Sequence, residues 1–252
     1  MSNTDSLLQQ AINASLQQTE ASKSMTTEVS QKMGQIDNEV AQAKAQIDSY
    51  IAGARGEHGI TRQSKNQYGN LTGDNLDFFA KNSAFDIRVS LYRTIVTGIE
   101  WADRDAEEQE ILTAMGRKGV KHFRPSIRVM KMVWSGFDED KHSRYTIYPN
   151  PTMSASTAVT VGSYAMLLSG DIRGAWLNGV KKNEWKCCGY NYKPTPGAYI
   201  HSHPGPYSAS GEVLFIWAGA VSGHVSLDSK NPKWGYFPSL YGDAPFDTKP
   251  GS

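Results

Sequence analysis

The residues best suited to chemistry are two histidines two positions apart, His201 and His203, within Tyr199-Ile200-His201-Ser202-His203-Pro204-Gly205. On a strand, positions two apart share a face, so the two imidazoles would be presented together. One chain offers only two nitrogens, a weak metal site. Three chains meeting on an axis offer six, a set that suits octahedral iron or nickel better than tetrahedral zinc. The pair is therefore read as a candidate metal site drawn from three chains, with interface histidines that have satisfied hydrogen bonds as the plainer alternative. Cys187 and Cys188 are adjacent, and a bridge between neighbours forces a strained ring, so two buried thiols are expected. A zinc site combining them with His201 and His203 is disfavoured, because neighbouring residues on a strand point to opposite faces.

His-Ser-His-Pro-Gly is also similar to the core of the JAMM-type zinc peptidases, in which a His-x-His pair and a later Asp bind zinc and an upstream Glu serves as base. That resemblance implies a metal-dependent hydrolase. The chain departs from the pattern at the offsets where the family has Ser and Asp: it has Glu212 and Phe215 there, and no Asp before Asp228. No glycine-rich phosphate loop, nucleophile elbow or helical His-Glu-x-x-His occurs. Asp138, Glu139 and Asp140 read as a solvated charged turn.

The remaining chemical signal is aromatic. Trp185, Tyr190, Tyr192, Tyr207, Trp234, Tyr236, Phe237 and Tyr241 fall in or beside loops of the last third. Rings with a polar tip suit sugar faces and protein surfaces alike, and the same rings can plug a small β core or a subunit interface.

The segment that must position these groups lies at the other end of the chain. From Leu8 to Tyr50 the seam Leu8, Ile12, Ser15, Thr19, Ser22, Thr26, Val29, Met33, Ile36, Val40, Ala43, Ile47, Tyr50 alternates four- and three-residue steps, a heptad pattern. The oligomerisation residues are Leu8, Ile12, Val29, Met33, Ile36, Val40, Ala43, Ile47 and Tyr50; the Ser/Thr layers between them bury little. β-branched residues in both seam classes lean towards three strands over two. At roughly 1.5 Å per residue the rod would be on the order of 65 Å long.

The expected fold class is α+β by segregation, a parallel trimeric coiled coil followed by a mainly antiparallel β head, sandwich or small barrel. Residues 1–53 form the stalk and 54–84 a polar connector. A small α/β neck over 85–120 takes a strand from Phe85 to Thr97 and a helix from Asp103 to Met115 stopped by Gly116. The head, 121–252, carries strands at Ser126–Trp134, Arg144–Tyr148, Ala158–Leu168, Ala175–Val180, Glu184–Tyr190, Gly197–Ser202, Glu212–Val221 and His224–Asp228.

Bulk properties exclude little but exclude it cleanly. With 26 basic and 25 acidic residues the net charge is +1, so no basic field argues for nucleic acid. Residues 1–53 hold six carboxylates against three lysines, net −3. The amino terminus has no basic start and apolar run, and no stretch of eighteen apolar residues occurs, so neither secretion nor membrane insertion is expected; assembly in a cytoplasm is.

A heptad rod, a polar connector and a Gly/Pro-punctuated aromatic β head together resemble the trimeric tail fibres and short tail fibres of bacteriophages. The resemblance implies a homotrimer in the virion, assembled in the host cytoplasm. Its amino end would dock on a tail, collar or baseplate protein, and its head would bind a host surface glycan or outer-membrane protein. It places receptor binding on Tyr190, Tyr192, Tyr207, Trp234, Tyr236 and Tyr241. It also likens His201 and His203 to axial His-x-His pairs, implying at most one iron, nickel or zinc ion per trimer. Catalysis is not required. A collar fibre or tail needle without a receptor role, and a hydrolase acting on peptide or polysaccharide, are the rival readings.

Overall fold

The computed structural model describes residues 3–58, 60–149, 157–195, 197, 199–200 and 202–239, with the backbone alone for 48–58. His201 and Tyr241 lie outside the described residues, as does the side chain of Tyr50. The chain divides into two units, Met1–Gly59 and Ile60–Ser252.

The first unit is one α-helix, α1 (Asn3–His58), of 56 residues. It runs through Gly34 and past Gly53, where the sequence suggested an end; a single glycine costs a helix only about 1 kcal/mol. Every described side chain from Asn3 to Ile47 is exposed. The weak seam layers have a local device: Thr19 and Thr26 donate their hydroxyls to the carbonyls of Ser15 and Ser22, each at 2.9 Å. The hydroxyls are thereby satisfied within the helix.

The second unit is built on strands. In chain order these are β1 (Leu71–Thr72), β2 (Asn75–Leu76), β3 (Phe79–Lys81) and β4 (Asp86–Ile95), then helix α2 (Ala106–Ala114). They are followed by β5 (Ile127–Ser135), β6 (Ile147–Pro149), β7 (Val159–Ser169), β8 (Ile172–Arg173), β9 (Lys186–Tyr192), β10 (Gly205–Pro206) and β11 (Gly211–Ser222). Five form one antiparallel sheet in the order β4-β5-β11-β7-β9, and β1-β2, β3-β6 and β8-β10 pair as short ribbons. The sheet is open: β4 and β9 are opposite edges, so the head is not a closed barrel.

Alternation along the strands sends side chains into two cores, one on each face. On β5, Met130, Met132 and Trp134 enter one and Ile127 and Val129 the other; on β7, Val161, Ala165 and Leu167 oppose Tyr164. Burial on both faces explains why β11 reads as nearly unbroken apolar sequence. Within β11 the alternation slips. Trp217 takes φ 54°, and the pairing with β7 shifts register between Ile216 and Gly219. This bulge moves Ala218 and Ala220 to the face already holding Val213 and Phe215.

The bulge explains the run 60–84, expected as a connector and found in the same compact unit as the sheet. Arg62, Ser64, Asn66 and Gln67 are buried. The Ser64 hydroxyl accepts the Ala220 N–H at 2.9 Å, and Gln67 Nε2 donates to the carbonyls of Trp217 at 3.4 Å and Gly235 at 2.8 Å. Its polar residues thus satisfy backbone groups that the bulge takes out of the ladder. Residues 85–120 are likewise no separate neck: β4 pairs with β5 from Asp86↔Ser135 to Ile95↔Ile127.

Two expected strands are absent, and a third, Gly197–Ser202, which would carry His201, lies partly outside the described residues, with none of its described residues in a strand. Ala175–Val180 begins with a 3-10 turn over Ala175–Leu177, entered from Gly174 at φ 90° and Ala175 at φ 44°, which drives Trp176 into the core against Phe215, centroids 5.0 Å apart. At His224–Asp228 the Val225 N–H is taken by the Thr160 hydroxyl at 2.9 Å rather than by a strand.

Cys187 and Cys188 are free, buried and in opposite cores. Burial pushes both thiols up to about 12. A thiol reagent at pH 8 should therefore leave both untouched in the native protein and label both after denaturation. The raised values also mean that this contribution to stability is complete below the unfolded thiol value of about 8.5 and is lost as pH rises towards the folded one.

Candidate functional site

The aromatics singled out in the sequence divide between surface and core. Trp234 is core: its indole N–H donates to the Trp217 carbonyl at 3.1 Å, its own carbonyl accepts the Tyr164 hydroxyl at 2.7 Å, and it is 4% exposed. Its ring lies so close over Gly162 that a Cβ there would meet it at 2.9 Å. A receptor cannot reach it, which corrects its assignment as a binding residue. Tyr236 is half-buried, with the Arg62 guanidinium 5.1 Å from its ring.

Tyr190, Tyr192 and Tyr207 remain available. Tyr190 is exposed on the edge strand β9 and meets Tyr192 edge-on at 4.8 Å. Tyr207 follows β10, is 47% exposed, and carries the guanidiniums of Arg144 and Arg173 at 4.3 and 4.9 Å from its centroid. Each arginine has a carboxylate partner, Glu139 at 2.6 Å and Asp171 at 2.5 Å, so the cluster is aromatic and polar without a strong positive field. His203 is half-buried beside Tyr145 and Tyr148, with ring centroids 5.4 and 6.1 Å away. Among the described residues no three His, Cys, Asp or Glu side chains gather to hold a metal; a site shared by three chains is a different matter. Glu212 is held by Lys131 at 2.6 Å.

A concave site lies elsewhere, along α2. Asp105 caps the helix, accepting the Glu108 N–H at 2.8 Å, and Gly116 at φ 68° ends it while Arg117 N–H reaches the Leu112 carbonyl at 2.7 Å. Ile111, Leu112 and Met115 enter the core. The neighbouring stripe, Ala106, Gln109, Glu110, Thr113 and Ala114, repeats at helical spacing and with Trp101, Lys118 and Trp185 lines a cleft of about 550 Å³.

The helix is pinned by charge. Arg93 of β4 donates to Asp105 at 2.5 Å and Glu107 at 2.6 Å, while buried Arg104 donates to Glu108 and to the Val96 carbonyl, each at 2.9 Å. Gln109 Nε2 donates to the backbone carbonyls of Trp101 and Arg104, both at 3.0 Å, tying the Trp101–Asp103 3-10 turn to the helix.

Sequence reading placed α2 but assigned no site to its wall. The usable signal was the small and polar stripe beside the apolar one, directly after a tryptophan.

No protein-family model matches the chain, and no curated protein matches it either. Among the described residues no helix is long and apolar enough to cross a membrane.

Proposed function

We propose that this protein is a trimeric virion fibre: three copies of α1 wind into a stalk whose amino end docks on a tail, collar or baseplate protein, and three heads bind the host cell surface. The observation that carries this reading is the uncovered apolar seam of α1. In the single chain Val29, Met33, Ile36, Val40 and Ile47 are 52–62% exposed, along a helix with no second apolar layer of its own. A contiguous exposed stripe of that kind marks an interaction face. Leu16 and Met25, both exposed, fall at the heptad positions flanking the Ser/Thr layers and widen the seam where it is thinnest.

Three heads on one stalk turn modest single contacts into durable attachment, with no catalysis needed. Tyr190 and Tyr207 are the exposed rings best placed to serve that contact. On this reading His201 and His203 of three chains converge on the axis, where one iron, nickel or zinc ion would join them. The test is competition: labelled full-length protein should bind susceptible bacteria saturably and block adsorption of the particle. Labelling confined to a collar or tail plug, with adsorption unaffected, would favour a fibre or needle with no receptor role.

A further inference from the structure

We infer that the α2 cleft is a saccharide-binding site that accepts a hexose ring against the partly exposed indole of Trp101; this names a ligand class for the head and rests on the surface-binding reading. The cleft, about 550 Å³ and wide open to solvent, has room for a hexose ring laid on its wall. Its wall is amphipathic. Trp101 is partly exposed, and Trp185 is buried with an indole N–H that has no acceptor. Around them stand the exposed Glu110 carboxylate and Lys118 ammonium, each without an ion-pair partner among the described residues. The Gln109 amide nitrogen is spent on two backbone carbonyls, which leaves its oxygen as an acceptor.

A hydroxyl-rich ring matches this set group for group. Its C–H face packs on the Trp101 indole, and its hydroxyls donate to Glu110 and Gln109 and accept from Lys118. A strongly anionic or cationic ligand would meet one charge of its own sign, and a purely apolar one would strand the polar half of the wall. A peptide strand would find better pairing along the edge strands β4 and β9. Arg93 and Arg104 hold α2 in place, so the wall is rigid before ligand arrives, which lowers the ordering cost of binding.

The experiment is saturation-transfer NMR on the full-length protein with the methyl glycosides of galactose, glucose and N-acetylglucosamine as probes. At least one should receive saturation at its ring C–H protons, and Trp101→Ala should weaken it by roughly fivefold to tenfold. Glu110→Ala, a change at an exposed side chain with no ion pair to lose, should weaken it too with the melting temperature unchanged. No transfer to any of the three probes overturns the inference, as does transfer that survives both Trp101→Ala and Glu110→Ala. Sugar binding without attachment to cells would keep the cleft and remove the fibre reading; attachment by wild type that both variants leave intact would do the reverse.

Discussion

Replacing Ile36 and Val40 together with aspartate is expected to turn a three-chain particle into single chains at micromolar concentration. Both side chains are exposed in the lone chain, at 57% and 62%, and in the proposed trimer they would be covered by partners. Each such side chain contributes about 1.5–3 kcal/mol when fully covered. The substitution removes that gain in two successive layers and sets three carboxylates against one another in each, a desolvation cost of several kcal/mol per ion. The head should melt as before, because residues 60–252 form a unit of their own. Sedimentation of the variant beside wild type reads the first effect and calorimetry the second. An unchanged oligomer would mean that the heads themselves hold the chains together.

Arg104→Ala should destabilise the head by about 3–5 kcal/mol, the usual cost of breaking a buried ion pair from one side. The Arg104 side chain is fully buried, pairs with Glu108 at 2.9 Å, and also packs its guanidinium 5.4 Å from the Phe123 ring centroid. For a unit of this size the melting temperature should fall by on the order of 10 °C. Arg104→Met combined with Glu108→Leu should recover much of the loss, since it leaves no charge stranded. A loss below about 1 kcal/mol for the single variant would show that Arg93 alone pins α2. Acid should loosen the same anchor. The Arg93 hydrogen bond holds the Asp105 carboxyl below its ordinary range, so its contribution is present above the usual carboxylate value and disappears as pH falls through the depressed one.

What could be read in advance follows from which forces are local. The period of β4 and the cap, acids and stop of α2 are visible residue by residue, and both elements form close to where they were expected. The apolar density of β11 marks a strand, yet its central place in the sheet depends on partners far away in the chain. Polar runs were the hardest to interpret. Arg62 to Gln67 read as polar connector because composition does not distinguish a side chain that meets water from one that meets a buried carbonyl such as that of Trp217. Trp234 was misassigned for a related reason: aromatics near prolines suit a surface loop and a core lid equally well, and only the bulge and the gap over Gly162 select the lid. The small and polar stripe of α2 is visible in the sequence, but that Trp185 lies beside it along with Trp101 follows only from the fold.

All of this turns on how many chains share the stalk. Sedimentation equilibrium of the purified full-length protein should give about three times the 27.8 kDa of one chain, with no concentration dependence at micromolar levels. A mass of 27.8 kDa, one compact polypeptide whose leading helix pairs with no other copy, would contradict the account.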